Sequence, residues 1–193
     1  MFKIDNPKSF ERRSLLLEAM EQLESNNINC ASCTGKCCTS VANSMQCSPI
    51  EAMEIIDWLK SEEILNESMT SELKNCVSKY RLDYEISTTR GVPLRRTYTC
   101  PFFNHGALGC LLKKEIKPYG CLAFNARFKK VSDGENCTTD IELLKQRDAD
   151  WADLELNKNK ELQNKLSLNW NKLPMPVALL DVMERLDKLK DQV

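Results

Sequence analysis

Four cysteines within nine residues constrain this chain more than any other feature of its sequence. They form the pattern Cys30-x2-Cys33-x3-Cys37-Cys38. A C-x-x-C step places two sulfurs on one tight turn, so both can reach a single ion. Soft thiolate ligands select Zn²⁺, Cu(I) or iron–sulfur clusters. The pattern therefore favours a metal site over the burial of four separate thiols in a core.

Three later cysteines extend the predicted ligand set, in the spacing Cys100-x9-Cys110-x10-Cys121. Together the two groups supply the four thiolates that a zinc ion or a cubane cluster needs, with some left over. An all-cysteine set suits both, so the choice between Zn²⁺ and an iron–sulfur cluster stays open. The predicted metal ligands are Cys30, Cys33, Cys37, Cys38, Cys100, Cys110 and Cys121.

The remaining cysteines and the single histidine receive separate interpretations. Cys47 directly precedes a capped helix and is either an extra ligand or a small buried residue. Cys76 shares a helical face with Leu73 and is predicted to lie in the core. Cys137 is predicted to be a structural or exposed thiol. His105 can replace one thiolate, although a polar position on a glycine-rich turn is the favoured interpretation.

The wider composition agrees with a metal-binding protein of the cytoplasm. The chain has 193 residues, ten cysteines and a net charge of -1. The first residues lack the apolar stretch of a signal peptide, and no run approaches the roughly 20 apolar residues of a membrane span. We therefore expect a cytoplasmic protein without membrane contact. In that reducing compartment, clustered cysteines bind metal more often than they form disulfides.

The cysteine pattern resembles the YkgJ-type cysteine-cluster family, whose members are described as zinc- or iron-chelating proteins. The resemblance covers roughly residues 28–128 and rests on the seven predicted ligands and on the helix start Ser48-Pro-Ile-Glu-Ala52. The family often has Arg-Pro before its last cysteine, where this chain has Lys117-Pro118 before Cys121. The resemblance implies metal binding and says little about biochemical activity.

Hydrophobic periodicity predicts a mainly α protein. We expect a single small domain with an irregular cysteine-rich metal-binding core, residues 1–137, and a C-terminal helical extension packed on it, residues 138–193. The periodicity places Phe10, Tyr84 and Ile141 on buried helix faces. Five helices are predicted. The first spans 8–26, the second begins at a cap formed by Ser48 with Glu51, and the third spans about 68–86. The fourth begins at a cap formed by Thr139 with Glu142 and is interrupted near 157–161, and the last begins at Pro174 and Pro176.

Residues 90–130 concentrate positive charge, with nine Lys and Arg against one Glu. This charge either balances thiolates or forms a docking surface for an acidic protein or RNA, centred on Arg95, Arg96, Lys113 and Lys114. Separately, Lys117 or Arg127 can neutralise a negatively charged cluster. Five aromatic residues are predicted to form an apolar shell around the metal: Tyr98, Phe102, Phe103, Phe124 and Phe128.

Catalytic motifs are scarce. The sequence contains no H-E-x-x-H, no P-loop and no G-x-G-x-x-G. The leading hypothesis is a metal-binding protein whose centre has a structural or redox role. Two alternatives are a metal-dependent or iron–sulfur enzyme that performs redox chemistry or modifies a macromolecule, and a zinc-scaffolded module that binds protein or RNA.

Overall fold

The computed structural model describes most of the chain. Three predicted site residues, Cys30, Cys33 and His105, lie outside the described residues, as do Arg127 and Phe128. Predictions about those residues therefore stay predictions. The described residues are 8–26, 35–84, 86–87, 89–91, 93–104, 106, 109–126 and 137–190.

The described part is mainly helical, which confirms the predicted class. Its α-helices are α1 Ser14–Glu24, α2 Pro49–Ser61, α3 Glu67–Tyr80, α4 Tyr119–Leu122, α5 Ile141–Leu166 and α6 Met175–Lys190. Its strands are β1 Gln46–Cys47, β2 Ile86–Ser87, β3 Pro93–Leu94, β4 Phe124–Ala126, β5 Cys137–Thr139 and β6 Leu173–Pro174. The strands pair antiparallel as β1–β6, β2–β3 and β4–β5. Among these helices, none combines the length and the apolar character that a membrane crossing requires.

Helix α2 is the centre of the fold, and its start is the one the sequence predicts. Ser48 caps it, Pro49 occupies the first turn, and Glu51 accepts a hydrogen bond from the Ser48 amide at 2.9 Å. The rest of the helix is apolar on several sides, so it can only be stable inside a core. Ile55 and Ile56 are fully buried there. Each such side chain contributes about 1.5–3 kcal/mol through burial.

Two of the three buried apolar clusters in the described residues hold the helices together. The main core joins α2 to Leu73 of α3, to Leu166 at the end of α5, and to Leu179 and Val182 of α6. Residues from both sides of position 137 therefore share one core. The small core packs Leu16, Leu17 and Met20 of α1 against Tyr119, Leu122 and Ala123 in and after α4. This second core holds α4, which carries Cys121, beside α1.

Two helix predictions at the N-terminal half are wrong in detail. Helix α1 begins only at Ser14, after a 3-10 turn over Glu11–Arg13, and Phe10 is 63% exposed instead of buried. Helix α3 ends at Tyr80 because Arg81 adopts a left-handed conformation with φ of 51°. Tyr84 therefore lies beyond the helix and is exposed.

Helix α5 corrects a further set of expectations. Its N-cap is Asp140, whose side chain accepts a hydrogen bond from the Leu143 amide, and not Thr139. Ile141 is exposed. The predicted break near 157–161 is absent, since the described helix is continuous through it. The polar residues there are compatible with helix, because Asn159 accepts a hydrogen bond from the Ile50 amide at 2.9 Å and so satisfies a donor at the start of α2.

Candidate metal-binding site

Five predicted ligand cysteines lie in the described part of the chain, and the fold brings them to one place. We call them the thiol cluster. They come from a 3-10 turn over Lys36–Cys38, from the irregular segment between β3 and α4, and from α4 itself. All five line a cavity of about 550 Å³. The thiol cluster consists of Cys37, Cys38, Cys100, Cys110 and Cys121.

Backbone hydrogen bonds hold four members of the thiol cluster close together. The Sγ atoms of Cys37 and Cys38 are 3.9 Å apart. The Cys100 amide donates to the Cys38 carbonyl at 2.7 Å, which fixes the two segments side by side. Phe103 donates to the Cys100 carbonyl at 3.1 Å and forms an antiparallel bridge with Cys110. Main-chain hydrogen bonds thus hold the segments that carry Cys38, Cys100 and Cys110 next to one another.

The turn before Cys121 delivers the fifth thiol. Pro118 is the N-cap of α4, and the Cys121 amide donates to its carbonyl at 2.9 Å. Lys117 is only 7% exposed and lines the cavity, so it is not a solvated lysine. Burial raises the pKa of the Cys121 thiol, while the charge of Lys117 acts in the opposite direction. Lys117 therefore lies where it can offset negative charge on the cluster.

Ionisation is unfavourable for three members of the thiol cluster, Cys37, Cys100 and Cys121. Burial raises the pKa of Cys100, and the neighbouring thiols Cys110 and Cys121 raise it further. A hydrogen bond with Cys38, followed by burial, raises the pKa of Cys37. These thiols are consequently protonated at neutral pH. A bound cation would reverse this preference, because it stabilises the thiolate form.

Cys47 and Cys76 differ in their relation to the cluster. Cys47 is fully buried on β1, and its charge is among those that raise the pKa of Cys121. It therefore lies beside the thiol cluster, where both interpretations given for it remain open. Cys76 packs with Leu82 and Tyr98, and its thiol donates to the Thr99 carbonyl at 3.4 Å. The prediction that Cys76 is a core residue is confirmed.

Aromatic side chains form an apolar wall next to the thiols. Tyr98 and Phe102 are fully or almost fully buried, and Phe103 and Phe124 line the cavity. The Phe103 ring packs directly on Gly35, which has a φ of +71°. Four of the five predicted shell residues are thus described, and they surround the thiols with side chains that limit the access of water.

The described residues alone do not complete a metal site. Among them, no three His, Cys, Asp or Glu side chains are arranged as a set of metal ligands. The donor chemistry nevertheless fits a soft ion or an iron–sulfur cluster, since the groups on this wall of the cavity are thiols. Two predicted ligands, Cys30 and Cys33, belong to the part of the chain outside the described ranges.

A second group of buried ionisable residues borders the same cavity, and the sequence analysis missed it. Arg12 and Arg13 are fully buried although both are charged. Arg13 donates to one oxygen of Glu54 at 2.7 Å, and Arg12 donates to the other. Arg12 also donates to Glu155 on α5 at 3.0 Å. We call the whole group the Arg–Glu–Tyr network: Arg12, Arg13, Glu54, Tyr119, Arg147 and Glu155.

Tyr119 lies at the centre of this network. Its hydroxyl accepts a hydrogen bond from Arg12 and donates one to Glu155. The guanidinium of Arg147 stacks 3.6 Å from the ring centroid, and Arg147 also pairs with Glu155. A sequence pattern does point to the network. Glu51 and Glu54 lie among the buried apolar residues of the first two turns of α2, and carboxylates in such positions are stable only when they are paired.

Several positively charged side chains of residues 90–130 contact groups of the same chain. Lys113 pairs with Glu62 at 2.7 Å, and Lys114 pairs with Glu24. Arg96 donates to the Arg81 carbonyl at 2.7 Å. The docking surface for an acidic protein or RNA stays a prediction, with fewer available charges than the sequence alone indicates.

Comparison with known proteins adds no relative: no protein-family model, no curated protein and no solved structure matches the chain. The resemblance to the YkgJ-type family therefore stays a prediction from cysteine spacing. The function has to be argued from the cavity and the side chains around it.

Proposed function

We propose that this protein binds a metal centre held by thiolates, either Zn²⁺ or an iron–sulfur cluster, with a structural or redox role. The observation that carries the proposal is the convergence of five thiols from separate chain segments on one cavity. The ligands would be drawn from the thiol cluster together with Cys30 and Cys33, in keeping with the resemblance to the YkgJ-type family.

The energetics of the thiol cluster support this proposal. Cys37, Cys38, Cys100 and Cys121 are free thiols. The pKa values of Cys37, Cys100 and Cys121 are raised, so each of these three thiols must lose a proton against that shift before it can act as a ligand. A bound cation offsets that cost and at the same time links the irregular segment between β3 and α4 to the helices. Metal binding would therefore also stabilise the fold.

The two candidate centres lead to different roles. Four thiolates around Zn²⁺ leave no open position, so a zinc site of this type would be structural. An iron–sulfur cluster would supply one-electron redox chemistry. In both cases Lys117 would offset part of the negative charge, and the wall formed by Phe103 and Phe124 would limit the access of water.

A metal-dependent enzyme is the second candidate, and the size of the cavity favours it. A volume of about 550 Å³ falls in the range of small-molecule sites. Polar groups of Tyr119, Arg147 and Glu155 face the cavity together with the thiols. A substrate could therefore lie next to the metal, with these residues available to bind its polar groups.

The deciding experiment is purification without oxygen, followed by elemental analysis and an absorption spectrum. A colourless protein with stoichiometric Zn would identify a zinc site, and a brown protein with iron and sulfide would identify a cluster. Cys100→Ser and Cys121→Ser should lower the metal content, whereas the core control Cys76→Ser should keep it. Wild-type protein that contains neither metal would overturn the proposal.

A further inference from the structure

One buried carboxylate joins two cysteine-bearing turns. Glu51 accepts hydrogen bonds from the amide and the hydroxyl of Ser48, both at 2.9 Å, through one oxygen. Its other oxygen accepts from the Tyr119 amide at 3.0 Å. Ser48 follows Cys47, and Tyr119 lies two residues before Cys121. A helix cap on α2 therefore also fixes the backbone at the start of α4.

Arg13 holds the same turn from another direction. Its Nε donates to the Lys117 carbonyl at 3.1 Å, while its Nη2 donates to Glu54 on α2 at 2.7 Å. The guanidinium also lies 4.9 Å from the centroid of the Tyr119 ring. Arg13 thus contacts both the residue before Pro118 and the first residue of α4.

Helix α4 needs such support because it is only four residues long. Isolated helices shorter than about 12–15 residues are marginal in water, so one turn does not fix the direction of its own side chains. Cys100 differs, because its main-chain hydrogen bond reaches the distant segment of Cys38, whereas that of Cys121 reaches only Pro118 in the same turn. The orientation of Cys121 depends instead on side chains that lie far away in the sequence.

We propose that Arg13, Glu51 and Tyr119 are positioning residues that aim the Cys121 thiol at the rest of the thiol cluster. The effect on metal affinity rests on the proposed function. The effect on the thiol itself does not, because the hydrogen bonds that hold the turn are formed without metal. Removing them should therefore change the behaviour of Cys121 more than that of Cys100.

The first test measures thiol alkylation in metal-free protein, resolved by residue with mass spectrometry and iodoacetamide as the probe. Tyr119→Phe removes the hydroxyl bonds that tie the first residue of α4 to Arg12 and Glu155, and Arg13→Met removes the bonds to Lys117 and Glu54. Each should raise the alkylation rate of Cys121 relative to Cys100 about tenfold, the size expected when a buried polar group loses its partner. An unchanged ratio in both variants would overturn the proposal.

A control variant distinguishes a specific effect on the orientation of Cys121 from a general loss of fold stability. Leu186→Ala removes buried apolar volume from the main core, at a residue that is 4% exposed. It should weaken the fold as a whole and leave the ratio of Cys121 to Cys100 alkylation unchanged. If Leu186→Ala raised this ratio as much as Tyr119→Phe does, the effect would be general and the proposal wrong.

The second test measures Zn²⁺ affinity of the full chain by competition with a chromophoric chelator. Changes in residues that orient ligands cost about 10- to 100-fold in affinity, so Arg13→Met should bind Zn²⁺ that much more weakly. Arg13→Lys keeps a positive charge beside Glu54 and should recover part of the loss. Wild-type protein without any metal affinity would refute the proposed function, and the alkylation ratio would still decide on positioning.

Discussion

The thiol cluster and the Arg–Glu–Tyr network both contribute residues to the lining of one cavity, and the pKa values of their buried acids shift in opposite directions. Burial raises the pKa of Cys100 and Cys121, so both thiols are neutral. Burial also acts to raise the pKa of Glu155, but hydrogen bonds from Arg147, Tyr119 and Arg12 outweigh it and lower that pKa. The comparison shows that the partner within hydrogen-bond distance decides the charge of a buried group.

This difference bears directly on function. The network contains three arginines and two glutamates, so each of its carboxylates is already paired with arginines of the same chain. The positive charge of Lys117 does not outweigh desolvation at Cys121, so the pKa of that thiol stays raised. Ionisation of Cys100 and Cys121 would therefore require a bound cation. The first region is suited to hold the fold, and the second to bind an ion.

The largest loss of stability is expected when a carboxylate is removed from the Arg–Glu–Tyr network. Glu54→Ala leaves Arg12 and Arg13 buried without their shared carboxylate, and breaking a buried pair in this way costs about 3–5 kcal/mol. Urea unfolding measures the loss. The matched control is Glu62→Ala, which removes an exposed pair with Lys113 and should cost at most about 1 kcal/mol. Equal losses would contradict the role given to the network.

A somewhat smaller change in stability is expected when Zn²⁺ is added and binds at the thiol cluster. Free Zn²⁺ at about 100 times its dissociation constant should stabilise the protein by about 2.7 kcal/mol, because only the folded state offers the site. Thermal unfolding with and without Zn²⁺ measures this gain. Cys100→Ser should abolish it and Cys76→Ser should retain it. A gain that survives Cys100→Ser would place the ion elsewhere.

Two glycine substitutions test how tightly the wall beside the thiols is packed. Both Gly35 and Gly91 have positive φ, but a Cβ at Gly35 would overlap the Phe103 ring, whereas one at Gly91 meets nothing within 4 Å. Gly35→Ala should therefore cost about 1–3 kcal/mol more than Gly91→Ala, the usual penalty of overpacking. Chemical denaturation compares the two. Similar losses would mean that the Phe103 ring moves aside freely.

The smallest expected effect is a change in how the stability of the fold depends on pH. Because the pKa of Glu155 is lowered in the folded protein, its stabilising contribution is complete above its unfolded pKa and disappears as the pH falls through the folded pKa. The stability difference between wild type and Glu155→Gln should thus narrow in acid. A constant difference for Glu155→Gln would contradict this assignment.

Local patterns in the sequence predicted the local structure well. The start of α2 follows from Ser48 and Glu51, whose hydrogen bonds span three residues. The buried stripe of α6, with Leu179, Val182 and Leu186, follows from helical periodicity. Such features depend on residues within one or two turns of each other, so the sequence contains all that is needed to predict them.

Features that depend on distant partners were not predictable in the same way. A charged pair such as Arg12-Arg13 is ordinarily solvent-exposed, and the buried alternative depends on Glu54 and Glu155, which are 42 and 143 residues from Arg12. The polar residue Asn159 within α5 likewise has a distant partner, the Ile50 amide, which is 109 residues away. Spacing alone identified the cysteines of the thiol cluster but not the side chains that hold the turn before Cys121.

Helix α5 packs against both the main core and the small core. Its 26 residues extend for about 39 Å at about 1.5 Å per residue. Arg147 and Glu155 fasten one part of it beside the cavity, while Leu162 and Leu166 anchor its far end in the main core. One continuous helix therefore connects the lining of the cavity to the main core. The place of Arg147 beside the cavity and the place of Leu166 in the core are set by the same element.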